Sequence, residues 1–150
     1  IIPRRPFRKY ELTVNYRSTK QIVEYAAKYQ SNEMNAKCVR DGETPVEITV
    51  DGIEKAAAEA KKYVKQAVQQ GYENIAIVCK SNSEAKKIET AMNMEYALTS
   101  KINFKVLPLY LAKGLEFDCA IVWDMPEDMM YTACTRAMHE LIVINKKKVL

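Results

Sequence analysis

Arg136 is the residue whose type and surroundings most clearly indicate chemistry. It follows the run Thr-Ala-Cys-Thr at 132–135, whose small side chains let a helix approach a partner closely and leave the guanidinium unencumbered. An arginine brought to a phosphoryl group in transfer stabilises the charge that develops in the transition state. If Arg136 faces a nucleotide, the chain belongs to a phosphate-driven machine. The alternative is a structural arginine paired with Glu140, four residues further along, and the two roles are compatible.

A second polar segment, Lys113–Glu116, follows an apolar run. Gly114 allows the backbone to turn sharply or to approach a ligand, and the Glu116 carboxylate can accept hydrogen bonds from sugar hydroxyls. Open α/β sheets bind ligands at the ends of their strands, so we expect a site here. The alternative is an ordinary turn between two secondary-structure elements, in which Lys113 and Glu116 are solvated.

Tyr16 and Arg17 form a third candidate, directly before a predicted helix that begins at Ser18. A tyrosine there can stack on a flat base, and an arginine can hold phosphate oxygens with its planar fork of N–H donors. The alternative is that Tyr16 packs locally and that Arg17 is a solvated surface charge.

The parts that bind Mg-ATP are missing from this sequence. No Gly-x-x-x-x-Gly-Lys-Ser/Thr loop is present, so the chain lacks the cradle of backbone N–H groups that holds phosphates. No pair of acidic residues ends an apolar strand, and Asp124 after Trp123 stands alone in that position. The isolated chain is therefore predicted to be catalytically silent.

The composition is that of a soluble globular protein. Its 150 residues suit one domain, 48% of them are hydrophobic and 28% are charged. The net charge of +4 permits a polyanionic partner without requiring one. Basic clusters at 4–9 and at Lys146–Lys148 are typical of solvated tails, with phosphate contact as the alternative for the first of them. The four cysteines are scattered, and Cys79 and Cys119 lie inside apolar runs, which predicts that these two are buried free thiols. With His139 as the single histidine, the pattern indicates a reducing, cytoplasmic setting and no metal site in this chain.

Apolar periodicity predicts helices and strands in alternation. Residues 1–12 are expected to form an extended lead-in to a single domain that covers 1–150. The predicted helices are Ser18–Gln30, with Ser18 and Gln21 as a capping box, Ile53–Gln70, ended by Gly71, a helix from Ser81 or Ser83 to Met92, and Glu127–Ala137. The predicted strands are Val46–Val50, Ile75–Cys79, Phe104–Leu109, Cys119–Trp123 and Glu140–Asn145. This order is typical of an α/β fold in which helices cover both faces of a mostly parallel sheet.

Three segments resemble motifs in the second RecA-like domain of the UvrD/Rep-type superfamily one helicases. Leu12–Thr19 resembles motif IV, Ala112–Asp118 resembles motif V, and Met130–Ala137 resembles motif VI. They occur in the family's order and span residues 10–145, nearly the whole chain. The resemblance implies a three-layer RecA-like fold of the P-loop NTPase type that lacks its own phosphate loop.

The resemblance also implies roles for individual residues. The family's motif IV tyrosine stacks on adenine and the following arginine reaches the γ-phosphate, which implies these roles for Tyr16 and Arg17. The motif V glutamate contacts the nucleotide sugar, matching Glu116 with Gly114 beside it, and the motif VI arginine is the arginine finger, matching Arg136. ATP with Mg²⁺ is then bound mainly by a first RecA-like domain of the same polypeptide.

The implied function is the C-terminal half of an ATP-dependent DNA helicase or translocase in the bacterial cytoplasm, with single-stranded DNA or RNA as a partner. In related helicases a Thr-x-His before motif V helps to hold the strand, but here these positions are Pro108 and Tyr110. Tyr110 and Lys113 are the expected nucleic-acid-binding residues. The run Leu107–Asp118 is most similar to the HelD branch, whose members associate with bacterial RNA polymerase. A non-motor module that remodels or binds this polymerase is therefore the alternative function.

Overall fold

The computed structural model describes residues 13–15, 18–29, 35–37, 43–92 and 103–148. Its strands are β1 (Thr13–Asn15), β2 (Asn35–Lys37), β3 (Val46–Val50), β4 (Asn74–Cys79), β5 (Asn103–Pro108), β6 (Phe117–Trp123) and β7 (Ala137–Lys146). Its helices are α1 (Lys20–Ala27), α2 (Ile53–Gln69), α3 (Asn82–Met92), the single turn α4 (Leu109–Ala112) and α5 (Met130–Cys134), with a 3₁₀ turn at Glu127–Met129. Tyr16, Arg17 and the lead-in 1–12 lie outside the described residues.

Five parallel strands form the central sheet, in the order β3-β7-β6-β4-β5. The neighbouring strands β4 and β6 contain the continuous apolar runs Ile75–Cys79 and Cys119–Trp123, as parallel strands buried on both faces require. These runs pair from Ile75↔Cys119 to Cys79↔Trp123. The short strands β1 and β2 form a separate parallel pair. The predicted α/β fold with a parallel sheet is confirmed.

Helices cover both faces of the sheet because successive residues of a strand point to opposite sides. On one face Ile121 packs in a buried cluster with Val64 of α2 and Ile88 of α3. On the other face Val122 packs in a cluster with Ile22 of α1, which also contains buried residues of α4 and α5. The result is a helix–sheet–helix arrangement of three layers, as predicted.

The first helix uses a different cap from the one predicted. Thr19, not Ser18, is the N-cap residue, and its Oγ1 accepts a hydrogen bond from the Ile22 N–H at 3.4 Å. The buried Ser18 hydroxyl instead donates to the Ala137 carbonyl oxygen, and the Thr19 N–H donates to the Met138 carbonyl oxygen at 3.1 Å. Contacts with β7 have therefore replaced the predicted capping box.

The predicted helix Glu127–Ala137 is wrong at both ends, because Glu127–Met129 forms a 3₁₀ turn and residues 135–137 are not helical. Helix α5 ends at Cys134, and β7 begins at Ala137, three residues earlier than predicted, so Arg136 lies in a turn between helix and strand. Ala137 pairs with Phe117 of β6, and the Phe117 N–H donates to the Arg136 carbonyl oxygen at 2.8 Å. Sheet pairing has overridden a local sequence pattern that favoured a helix.

Three cysteines are buried free thiols: Cys79, Cys119 and Cys134. Burial raises the pKa of Cys79 and of Cys134 to about 12 and raises the pKa of Cys119 as well, so these thiols are protonated and inert at neutral pH. In the described ranges, no group of three or more His, Cys, Asp and Glu side chains could hold a metal ion. No helix in this same part of the chain is long and apolar enough to cross a membrane.

Candidate functional site

Two of the candidate segments meet at the amino edge of the sheet. Lys113–Glu116 leads into β6 and Arg136 leads into β7, and these two strands are neighbours. The sequence had placed Lys113–Glu116 at the end of a strand that runs to Leu109, and this placement is wrong. Strand β5 ends at Pro108, and the one-turn helix α4 then carries the chain back across the sheet. The segment therefore precedes a strand instead of following one.

The guanidinium of Arg136 is held by main-chain oxygen atoms. Its Nε donates to the Thr132 carbonyl oxygen at 3.0 Å, and its Nη1 donates to the Leu115 carbonyl oxygen at 2.9 Å. Its Nη2 lies 3.5 Å from the Thr135 hydroxyl. A guanidinium has five N–H donors, so these contacts orient the half-buried group and leave donors on both terminal nitrogens for a further acceptor.

The charge of Arg136 is not neutralised by an ion pair in the described part of the chain. Partial burial lowers the pKa of Arg136, and the negative charge of Glu116 opposes this effect. Arginine nevertheless stays charged at physiological pH. The alternative partner Glu140 forms no ion pair with it, because Glu140 stands in register with Cys119 inside the sheet. A half-buried cation whose internal partners are neutral carbonyls is suited to an anionic ligand from outside.

The backbone between Lys113 and Glu116 turns at Gly114, where φ is +82°. Glycine adopts this conformation without the steric cost that a side chain brings, and no atom lies within 4 Å of the position a Cβ would take. Backbone conformation, and not crowding, is therefore the reason for a glycine here. Lys113 is exposed and Glu116 is half-buried. The sharp turn predicted at Gly114 is confirmed.

The start of α1 lies against the first residues of β7. The Ser18 hydroxyl donates to the carbonyl oxygen of Ala137, the residue that follows Arg136. Tyr16 and Arg17 precede Ser18 in the sequence and lie outside the described residues. The structure thus brings the end of the motif IV-like segment to the neighbourhood of Arg136.

Glu140 is a buried acid with an incomplete set of hydrogen bonds. It is 8% exposed, and its Oε1 has no hydrogen-bond partner. Burial raises the pKa of the Glu140 carboxyl, the negative charge of Glu43 raises it further, and a hydrogen bond with Cys119 opposes both. The charged form of this carboxyl is therefore disfavoured in the folded chain.

Replacing Glu140 by glutamine is expected to stabilise the fold in a pH-dependent way. Because the pKa of Glu140 is raised in the folded chain, the protonated carboxyl favours folding when the pH is below the ordinary pKa of a glutamate. This contribution is lost as the pH rises through the folded-state pKa. Glu140→Gln should therefore increase the free energy of unfolding at pH 7 by about 1 kcal/mol and change it little at pH 4. Urea denaturation at both pH values measures this, with the exposed Glu89→Gln as control. Equal effects at the two pH values would contradict the assignment.

The carboxyl edge of the sheet carries a cleft of about 570 Å³. Lys80, which directly follows β4, donates from Nζ to Asp124 Oδ2 at 3.1 Å. Asp124 directly follows β6 and has a φ of +46°. The exposed side chains of Lys146–Lys148 also line the cleft, together with Tyr29 and Glu127. Four lysines against two acidic residues give this cleft an excess of positive charge.

The short helix α4 places two large apolar side chains on the surface. Tyr110 is 62% exposed and Leu111 is 54% exposed, whereas Leu109 and Ala112 of the same turn are buried. Because α4 begins where β5 ends, Tyr110 lies toward the carboxyl edge, and the exposed Lys113 follows one turn later.

The sequence interpretation did not identify Lys80 or the cleft. A lysine directly after the buried run of β4 is the signal that was available, since open parallel sheets bind ligands at these ends. Lys146–Lys148 had been interpreted as a solvated tail, and the structure shows that they line the cleft as well as facing solvent.

A five-stranded parallel sheet between two helical layers defines the chain as a RecA-like α/β domain. Residues 10–108 match the UvrD-like helicase C-terminal domain family, and the chain belongs to this family. The matched residues include Leu12–Thr19 and end before Lys113. The assignment to the HelD branch stays a prediction.

Two known proteins are similar to this chain in sequence or in structure. The chain is 24% identical, over 178 aligned positions, to the "Putative ATP-dependent DNA helicase" of Acanthamoeba polyphaga mimivirus, and the alignment covers 91% of this chain and 24% of that protein. The chain thus spans about a quarter of that relative's length. The crystal structure of the C-terminal domain of a possible DNA helicase from Lactobacillus plantarum is 27% identical, with a TM-score of 0.71 and 89% of each chain covered.

Proposed function

We propose that this chain is the C-terminal motor half of an ATP-dependent helicase or translocase, and that its amino edge completes a nucleotide site held mainly by a first RecA-like domain. The observation that carries the proposal is the Arg136 guanidinium, which is oriented by the carbonyl oxygens of Leu115 and Thr132 and makes no ion pair among the described residues. The name of the viral relative supports ATP and DNA as the ligands of the full-length protein.

The residues at the amino edge fit half of a nucleotide site. Arg136 offers N–H donors in a fixed plane, and Glu116 offers a carboxylate acceptor beside the glycine turn. The sequence contains no phosphate loop. We therefore assign the binding of Mg-ATP mainly to the first domain. Transfer of the terminal phosphoryl group of ATP to water would drive movement.

In this arrangement each residue of the half-site has one task. Arg136 stabilises the negative charge that develops on the phosphoryl group during transfer. Glu116 accepts hydrogen bonds from the sugar. Tyr16 and Arg17, which directly precede Ser18 in the sequence, bind the base and the γ-phosphate, a pair of roles that rests on the resemblance to motif IV.

The carboxyl edge is suited to a single nucleic acid strand. Exposed lysines such as Lys80 and Lys146–Lys148 can contact successive phosphates, and an exposed aromatic ring such as Tyr110 can stack on a base. Lys113, the other residue proposed to contact nucleic acid, is exposed at the far end of α4 beside the Gly114 turn. Helix α4 joins this edge to the Gly114 turn at the other edge, which gives a short covalent route between the strand and the nucleotide.

The proposal predicts that the chain alone hydrolyses no ATP, because the phosphate loop is supplied elsewhere. The full-length protein is expected to release phosphate from ATP at a rate that single-stranded DNA increases. Phosphate release is measured for both proteins alone and with single-stranded DNA, RNA or RNA polymerase. Turnover by the isolated chain would contradict the half-site, and stimulation by RNA polymerase without any by nucleic acid would favour the interaction module instead.

A further inference from the structure

The segment that leads into β6 is held from both of its neighbours in the sheet. The Leu115 carbonyl oxygen accepts a hydrogen bond from Arg136 Nη1 at 2.9 Å. The next carbonyl oxygen, that of Glu116, accepts one from the side-chain Nδ2 of Asn74 at 3.0 Å. The Phe117 N–H then donates to the Arg136 carbonyl oxygen at 2.8 Å. Two consecutive carbonyl groups are thus fixed by an arginine on the β7 side and by an asparagine on the β4 side.

The main chain of Asn74 is itself fixed by an acidic side chain. Oδ2 of Asp118 accepts hydrogen bonds from the backbone N–H groups of Glu73 and Asn74, at 3.3 Å and 3.2 Å. This carboxylate ties the start of β4 to β6, the strand that Glu116 precedes. The Asn74 side chain therefore reaches the Glu116 carbonyl oxygen from a fixed base.

The side-chain donor at position 74 is a neutral amide. The Asn74 amide fixes the Glu116 backbone without adding a charge to this corner of the sheet. Arg136 is likewise anchored to neutral carbonyl oxygens. Because carbonyl oxygens carry no net charge, these anchors leave the positive charge of Arg136 able to attract an anionic ligand.

We propose that Asn74 is a positioning residue for the nucleotide half-site, and that its amide holds the backbone of residues 115–116 so that Arg136 and Glu116 are presented together. This inference rests on the proposed function for its catalytic consequence. The physical link from Asn74 to Arg136 can be measured in the chain without any nucleotide. Groups positioned for transition-state contacts tolerate little displacement, so loosening this backbone should affect turnover more than nucleotide affinity.

The link is tested first in this chain by NMR, through solvent exchange of the Arg136 Nε–H. A crystallised relative that covers the same extent as an isolated domain supports the use of the chain by itself. Asn74→Ala removes the donor and keeps the backbone N–H that Asp118 binds. Asn74→Asp keeps the size of the side chain and also removes the donor. Both variants are expected to accelerate exchange by roughly threefold to tenfold, as the loss of one hydrogen bond allows.

The matched control is Asn145→Ala, which removes an amide donor of similar geometry, Nδ2 to Glu47 Oε2 at 3.1 Å, at the opposite edge of the sheet. It should leave Arg136 exchange unchanged. Unchanged exchange in both Asn74 variants, with the fold intact by circular dichroism, would overturn the proposal. Faster exchange with Asn145→Ala as well would also overturn it, because the effect would then be a general loosening of the sheet.

The catalytic consequence is tested in the full-length protein. Asn74→Ala and Asn74→Asp are expected to lower kcat for ATP by about tenfold and to change KM by less than about threefold. If Asn74 had only a structural role, the variants would yield less folded protein, but kcat would not fall more than KM changes. That result would contradict the proposal. If Arg136→Ala leaves turnover intact, the proposed function fails, while the exchange measurement still decides whether Asn74 positions Arg136.

Discussion

Replacing Arg136 by alanine in the full-length protein is expected to lower kcat for ATP by about 10³ or more, the usual contribution of an arginine finger. The reason is that its guanidinium lies in a fixed plane, set by the carbonyl oxygens of Thr132 and Leu115, and forms no ion pair in the described part of the chain. Nucleotide affinity should change little, because the contact strengthens in the transition state. Steady-state phosphate release and equilibrium binding of a fluorescent nucleotide measure the two effects separately.

Arg136→Lys is the informative companion variant. Lysine keeps the positive charge but has no planar fork, so it cannot bond Thr132 and Leu115 while also reaching a phosphate. We expect it to remain impaired by at least about tenfold. Wild-type turnover in Arg136→Ala would refute the role of this residue, and an equal fall in affinity and in kcat would assign it to ground-state binding instead.

Removing the three lysines at 146–148 is expected to give the second large effect, on nucleic acid binding. If each contacts one phosphate of a single strand, the slope of log K against log salt falls by about 2 for the triple alanine variant, and the affinity at 0.1 M salt falls by about 10². These side chains are exposed at the carboxyl edge and line the cleft with Lys80. Fluorescence anisotropy of a labelled oligonucleotide over a salt series measures both quantities.

The control for this charge change is the triple alanine variant of Lys61, Lys62 and Lys65 on α2. It removes the same number of positive charges from the helical layer, away from the cleft. An equal loss of affinity in both variants would show that net charge, and not the carboxyl edge, determines binding. An unchanged salt slope in the 146–148 variant would place the strand elsewhere.

The elements that the sequence predicted correctly are those whose signals are local and strong. The predicted runs Ile75–Cys79 in β4 and Cys119–Trp123 in β6 are apolar throughout, as strands buried on both faces must be. Helix α2 ends before Gly71, whose φ of +93° is the left-handed conformation expected after a helix. Ser81, one of two predicted caps of α3, does accept a hydrogen bond from the Glu84 N–H, at 3.2 Å.

The elements that were predicted wrongly depend on contacts between distant segments. Helix α4 lies at the end of one continuous apolar run, and periodicity alone cannot separate a buried strand from a buried helical turn in such a run. The cap of α1 moved from Ser18 to Thr19 because Ser18 bonds to Ala137, more than a hundred positions away. The early start of β7 comes from its pairing with Phe117.

The candidate site was recognisable by its side chains but not by its geometry. Arg136, Gly114 and Glu116 stand together, as the order of the motif-like segments implied. These residues lie at the amino edge because α4 leads the chain from the carboxyl end of β5 back to the amino end of β6. The anchoring of Arg136 by the Leu115 carbonyl oxygen was also invisible in the sequence, because a backbone acceptor has no residue signature. The role of each side chain stays a prediction.

The most direct test of the half-site is the affinity of the full-length protein for a transition-state analogue. ADP with aluminium fluoride imitates the phosphoryl group in transfer, whereas ADP alone imitates a ground state. If Arg136 completes the site, Arg136→Ala should lose about 10³ in affinity for the analogue and keep its affinity for ADP within about threefold. If the variant binds the analogue as tightly as the wild type does, this domain does not supply the arginine that the account requires.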